Sequence, residues 1–221
     1  MTPKHLLLLA FGLAAAVDLG SLAAGFDAGH TVAKPLLMPL LAGYAALSGA
    51  PRLLIAALLF GWGGDVLLLS DAEPAFLAGM GSFAAGHVCY LLLFRARGSH
   101  HAFLFAGYGV ALTTTVASLW PDLPADLRIP VTGYSLLLTA MAYRAGSRFG
   151  LLAGLGGALF MLSDTLIATG VAEWPQPPRP DLWIMLTYIA AQFLLAIGTL
   201  RALEARPYPA ATYGEVRSTT P

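Results

Sequence analysis

Asp65 and Asp164 are carboxylates set into stretches of sequence that otherwise suit hydrocarbon. The first lies in Phe60-Gly-Trp-Gly-Gly-Asp65-Val-Leu-Leu-Leu69 and the second in Phe160-Met-Leu-Ser-Asp164-Thr-Leu-Ile-Ala168. An ionisable side chain at membrane depth costs about 2.5–3.5 kcal/mol on insertion scales, so it usually faces a bundle interior or a watered cavity. Two carboxyls can divide acid–base work. One gives a proton; the other stays ionised, steadies a developing cation and activates water. An apolar surrounding favours the neutral acid and so suits the donor.

Few other polar groups lie in the apolar stretches. They are Asp18, Lys34, His87, Ser163 and Gln192, with the hydroxyls of Tyr44, Tyr90, Tyr108, Tyr134, Tyr143 and Tyr188 as weaker candidates. Lys34 is placed to hold a carboxylate ionised or to bind a lipid phosphate; the competing reading is a lysine that snorkels to the interface. His87 would relay protons or touch a substrate, or else is a hydrogen-bonded core histidine. Asp18 has an interface position as its alternative, and Gln192 a helix-bridging role. Gly61, Gly63 and Gly64 would let a neighbouring helix or a substrate come close to the backbone before Asp65. Ser82 and Ser163 are hydroxyl nucleophiles without an adjacent His–Asp set, and no Gly-x-Ser-x-Gly elbow occurs. No His-Glu-x-x-His or comparable pair marks a metal site. Neither a metal nor an organic cofactor is expected. The single cysteine, Cys89, excludes an internal disulfide.

The elements that carry these residues follow from composition. Of 221 residues, 57% are apolar and 11% charged, against about 25% charged in a soluble domain. The expectation is an all-α polytopic membrane bundle. The formal net charge is zero, which offers nucleic acid no basic face. A span needs about 20 apolar residues, and that ruler gives eight: 5–24, 31–49, 53–70, 75–94, 101–120, 128–145, 149–170 and 182–203. The first imitates a signal peptide and is read as an uncleaved helix. Lys4, Arg52, Arg95, Arg97, Arg144, Arg148, Arg201, Arg206 and Arg217 then fall on one side. The other side has Arg128 and Arg179 with most of the acids. The positive-inside rule puts both termini in the cytoplasm. Residues 204–221 read as a disordered tail, and the compact loops favour a bacterial inner membrane.

Asp65 and Asp164 are four spans apart, on helices that run the same way. Gly64-Asp65-Val-Leu67 matches Ser163-Asp164-Thr-Leu166, Ser82 to His87 matches Thr187 to Gln192, and Lys34-Pro35-Leu matches Ile129-Pro130-Val. We read a four-plus-four parallel repeat, with halves at about 5–94 and 101–203. The same orientation puts the polar residues in one slab, from mid-membrane to the outer half, as a single watered cavity would require.

One ordered set of motifs carries a resemblance: Lys34-Pro35-Leu, Gly64-Asp65-Val-Leu-Leu, Gly81-Ser-Phe-x-x-Gly86-His87-x-x-Tyr90, Gly157-Ala-Leu-Phe-x-x-Ser163-Asp164-x-Leu166 and Tyr188-x-x-Ala-Gln192. Over residues 5–203 the chain resembles the YhhN family, which includes lysoplasmalogenases. The resemblance implies an eight-span hydrolase that cleaves the vinyl ether of an alkenyl lysophospholipid, with an ethanolamine or choline head group, to a fatty aldehyde and a glycerophospho-head group. Its aspartates match Asp65 and Asp164. Vinyl-ether hydrolysis is limited by protonation of carbon, so two carboxyls suit it independently. Two other readings compete. A proton-coupled transporter would use a parallel repeat and mid-membrane carboxylates. A non-catalytic lipid-binding protein would use the aspartates only to pair helices. The oligomeric state is not legible.

Overall fold

The computed structural model describes residues 2–70, 72–95 and 101–205. Among the described residues there are seven helices and no strand. They are α1 (Pro3–Ala24), α2 (Asp27–Leu47), α3 (Arg52–Leu67), α4 (Glu73–Leu93), α5 (Ala102–Leu119), α6 (Arg128–Val171) and α7 (Pro180–Glu204). All but α6 follow expected spans closely. The 44-residue α6 combines the spans expected at 128–145 and 149–170. It is broken inside by Gly150, with φ 85° and ψ −171°, a conformation almost confined to glycine. Beyond that break the two arms fold back on each other. A Cβ on Gly154 would lie 2.8 Å from the Cα of Gly146, and one on Gly157 2.7 Å from the Cα of Ala142. The sequence reading set the break at Arg144 to Arg148. Charge marks an interface, but the reversal itself needs a φ that only glycine adopts freely.

Among the described residues five helices are long and apolar enough to cross a membrane: α1, α4, α5, α6 and α7. Helix α3 has only 16 residues, and α2 carries Asp27, His30, Thr31 and Lys34 in its first half. The outward surface is apolar. Leu6, Leu9, Leu13 and Val17 form an exposed stripe on α1, and Phe103, Phe105 and Val110 are exposed on α5. In water such faces would drive aggregation; in lipid they are the solvated side. The protein is an integral membrane protein, since helices that satisfy their own backbone are what hydrocarbon permits.

Small residues bring the backbones together. A Cβ on Gly86 would lie 3.1 Å from the Ala57 carbonyl oxygen, one on Gly156 2.7 Å from the Leu195 nitrogen, and one on Gly198 2.5 Å from the Ala153 nitrogen. Close approach of this kind replaces the hydrophobic drive that lipid does not supply. Helix α1 packs on α2, α2 on α3, α3 on α4 and α6 on α7, while α4–α6, α1–α7 and α2–α7 contacts join the front and back of the chain. Helix α5 leans mainly on α6. A separate apolar cluster of Leu119, Leu123, Leu127, Val131 and Ala172 closes one end, where Trp174 Nε1 donates to Asp122 Oδ2 at 2.8 Å. Most of the expected tail, from residue 206 onward, lies outside the described residues, as do Asp71, Arg97, Arg206 and Arg217 of the charge count.

Candidate active site

Asp65 stands near the end of α3, 2% exposed. Tyr188 of α7 donates its hydroxyl to Asp65 Oδ2 at 2.8 Å, Gln192 Nε2 donates to Tyr188 at 3.3 Å, and Tyr90 of α4 donates to Gln192 Oε1 at 3.0 Å. The donors point one way, from Tyr90 to the carboxyl. The glycines before Asp65 make room for this chain. A Cβ on Gly61 would lie 2.8 Å from Gln192 Nε2, and one on Gly64 2.4 Å from the Phe83 ring.

Asp164 has a parallel arrangement on the second arm of α6. Tyr134, on the first arm, donates a short hydrogen bond to Asp164 Oδ2. Because that hydroxyl proton is committed, His87 Nε2 donates to the Tyr134 oxygen at 3.0 Å. His87 is 1% exposed, and its Nδ1 has no partner among the described residues. A neutral ring with its proton on Nε2 fits, since the other forms would bury an unpaired N–H. His87 and Tyr90 are one turn apart on α4 and so head both donor chains. The chains meet at Phe160, whose ring centroid is 4.8 Å from His87 and 5.5 Å from Tyr188.

A third cluster lies nearby. Asp18 of α1 is wholly buried and accepts from His30 Nδ1 of α2 at 2.8 Å. Lys34 sits one turn after His30 and is also buried, with no hydrogen bond or ion pair among the described residues. Lys34, Asp18 and Asp164 are all within electrostatic reach of Asp65. Ser163 donates to the Ile184 carbonyl at 3.1 Å and Ser82 to the Phe60 carbonyl at 2.6 Å. Both hydroxyls therefore join helices, and neither is presented as a nucleophile.

The aspartates differ in what they face. An apolar cleft between α4, α5 and both arms of α6 holds about 780 Å³ of empty space, its open mouth included. Asp164 and Tyr134 line it; Asp65, His87 and Lys34 do not. The single shared cavity expected from depth is thus resolved into one carboxyl at a cleft wall and one sealed behind aromatic rings. His30 escaped the sequence reading because it precedes the apolar run of span 31–49. Its spacing of four from Lys34 was the available signal. Tyr134 was only a weak candidate, because nothing local marks which tyrosine meets a carboxyl.

Fold and site together define a class: an all-helical membrane protein with two buried carboxyls, each capped by a tyrosine, one of them on the wall of an apolar cleft. The chain belongs to the YhhN family, whose profile matches residues 29–199. Among curated proteins it is 36% identical over 166 residues to lysoplasmalogenase TMEM86B of Sus scrofa, covering 75% of this chain and 68% of that one. It is 35% identical over 157 residues to lysoplasmalogenase TMEM86B of Homo sapiens, covering 70% and 66%. It is 34% identical over 167 residues to the lysoplasmalogenase of Mycobacterium tuberculosis (strain CDC 1551 / Oshkosh), covering 66% and 60%. The matched part spans about two thirds of the length of the two TMEM86B relatives and 60% of the mycobacterial one. No solved structure matches it.

Proposed function

We propose that this protein is a lysoplasmalogenase, hydrolysing the vinyl ether of an alkenyl lysophospholipid in the membrane. The observation that carries the reading is Asp164 at the wall of an apolar cleft, capped by Tyr134. Asp164 as the neutral acid gives its proton to the alkene carbon β to the ether oxygen. The resulting oxocarbenium ion is captured by water at the carbon bearing oxygen, and the water's extra proton returns to a carboxylate. The hemiacetal hydroxyl then gives its proton to the carboxylate as the carboxylic acid protonates the glycerol oxygen and the carbon–oxygen bond breaks, leaving a fatty aldehyde and a glycerophospho-head group. Asp65 is the ionised partner. Lys34 offsets its charge, the Tyr188 donor steadies it, and its field favours the cation. The other matched residues support these two: Gln192 and Tyr90 orient Tyr188, and His87 orients Tyr134. Asp18 and Ser163 fix the surrounding helices.

The same reading includes eight membrane crossings with the arms of α6 counted separately, a parallel repeat that brings the two aspartates to corresponding helices, cytoplasmic termini, and a bacterial inner membrane. Supporting the repeat are the matching words Gly64-Asp65-Val-Leu67 and Ser163-Asp164-Thr-Leu166. The test is aldehyde release from lysoplasmenylethanolamine by purified protein in detergent. Asp164→Asn and Asp65→Asn should each lower turnover by about 10²–10⁴-fold, the scale of a general acid or base, while the variants stay monodisperse. Full activity in either variant would refute the pair. Substrate uptake into sealed vesicles without aldehyde would favour the transporter reading.

A further inference from the structure

We infer that the cleft between α4, α5 and the arms of α6 is the seat of the substrate's hydrocarbon chain, and that the chain enters it sideways from the bilayer between α4 and α5. The proposal deepens the vinyl-ether reading, on which it rests only for what reacts there.

Three features of the molecule lead to it. First, the walls are mostly aliphatic and aromatic, with Phe76 and Met80 from α4 and Leu112 from α5, interrupted by the uncharged hydroxyls of Thr115, Ser135, Thr139 and Thr165. The polar exceptions that matter, Asp164 and Tyr134, face each other across the α6 hairpin and form a hydrogen bond. A glycerophospho-head group would strand its charges on such walls, whereas a hydrocarbon chain loses no hydrogen bond there. Second, the α5 wall is held loosely. Leu119 is the only buried residue of α5, and its main neighbour is α6. Among the described residues, helices α4 and α5 have no substantial contact with each other although both line the cleft, so a chain can pass between them from the bilayer without crossing water. Third, the cleft is stopped at the end where Leu119, Val131 and Val171 meet the small apolar cluster. Asp164 lies seven residues before Val171, about 10 Å along the helix, so the carboxyl is reached along the wall and not at the stopped end.

Site-directed labelling tests this without relying on turnover. With Cys89→Ser as background, Thr115→Cys and, as a second position, Leu112→Cys place a thiol on the α5 wall of the cleft. Val110→Cys places one on the exposed face of the same helix. Each is treated with a membrane-permeant maleimide, alone, with a non-hydrolysable 1-O-alkyl lysophosphatidylethanolamine, or with glycerophosphoethanolamine. At tenfold excess of the alkyl analogue over its Kd, labelling at 115 and 112 should slow by about tenfold and labelling at 110 should not change. Glycerophosphoethanolamine should protect neither position. Equal labelling at 115 and 112 with and without the alkyl analogue overturns the seat, as does protection by glycerophosphoethanolamine. Protection by the alkyl analogue in a protein that releases no aldehyde leaves the seat standing and removes the vinyl-ether reading. Aldehyde release without protection does the reverse.

Discussion

Tyr134 and Tyr188 each donate to an Oδ2 atom, yet the carboxyls they serve have different neighbours. Asp164 opens on an apolar cleft; Asp65 is enclosed, with Lys34 within electrostatic reach. Low dielectric with no cation in contact favours a neutral acid, and a nearby ammonium favours a carboxylate. On the reading proposed above, that difference assigns the acid's work to Asp164 and the carboxylate's to Asp65. Tyr134→Phe removes one donor and keeps the ring. As the proposed acid loses its proton Asp164 becomes charged, and a hydrogen bond to a charged acceptor is worth about 1.5–3 kcal/mol. We expect kcat for aldehyde release to fall by roughly 10- to 100-fold with KM nearly unchanged, and His87→Ala to produce a smaller loss in the same parameter. A change confined to KM would place Tyr134 in substrate binding instead. Asp18→Ala removes the buried acceptor of the His30 Nδ1 hydrogen bond. It should lower thermal stability in detergent by about 1–3 kcal/mol, with an unchanged melting curve counting against the pairing.

At the scale of elements, glycine decides the geometry. The Phe83 ring rests against Gly64 and packs edge-on to Phe160 and Tyr188, with centroids at 6.1 and 5.8 Å. Gly64→Ala must therefore displace a ring that borders both donor chains. We expect a loss of about 1–3 kcal/mol, the usual cost of overpacking, seen as a lower melting temperature, and a parallel loss of activity. Gly150→Ala meets no neighbour within 4 Å, so its cost is backbone strain alone, about 1–3 kcal/mol. It should destabilise the α6 hairpin without changing substrate preference. The sequence read the two arms as separate spans from their apolar lengths, and that division is where the arms lie. It missed the turning residue, because a charged run and a left-handed glycine are different signals two residues apart.

For the whole molecule, the exposed apolar stripes and the sparse charge make the bilayer its solvent. The charge asymmetry of the loops leads us to expect both termini on the cytoplasmic side. Single-cysteine variants near residues 4 and 204, in a Cys89→Ser background and produced in a bacterial host, should react with an impermeant maleimide only after the membrane is opened. Labelling of either in intact spheroplasts would reverse that end. The arrangement also accounts for the loose α5. A helix that packed as tightly as α7 would close the cleft that holds Asp164.

The sequence by itself determined the solvent of this protein, the positions of its apolar helices and the identity of its two costly carboxyls. Solvation is a local property, summed residue by residue, and an aspartate in hydrocarbon is conspicuous without any neighbour. Only the tertiary structure decided which donors reach those carboxyls and which carboxyl meets a cleft. Tyr188 and Asp65 are 123 residues apart, Tyr90 and Gln192 are 102 apart, and His87 and Tyr134 are 47 apart. Hydrogen bonds over such separations depend on helix crossings set by Gly61, Gly156 and Gly198, which a linear pattern of hydropathy does not encode. The His30–Asp18 pair arises in the same way, since it appears only when α1 and α2 are brought side by side.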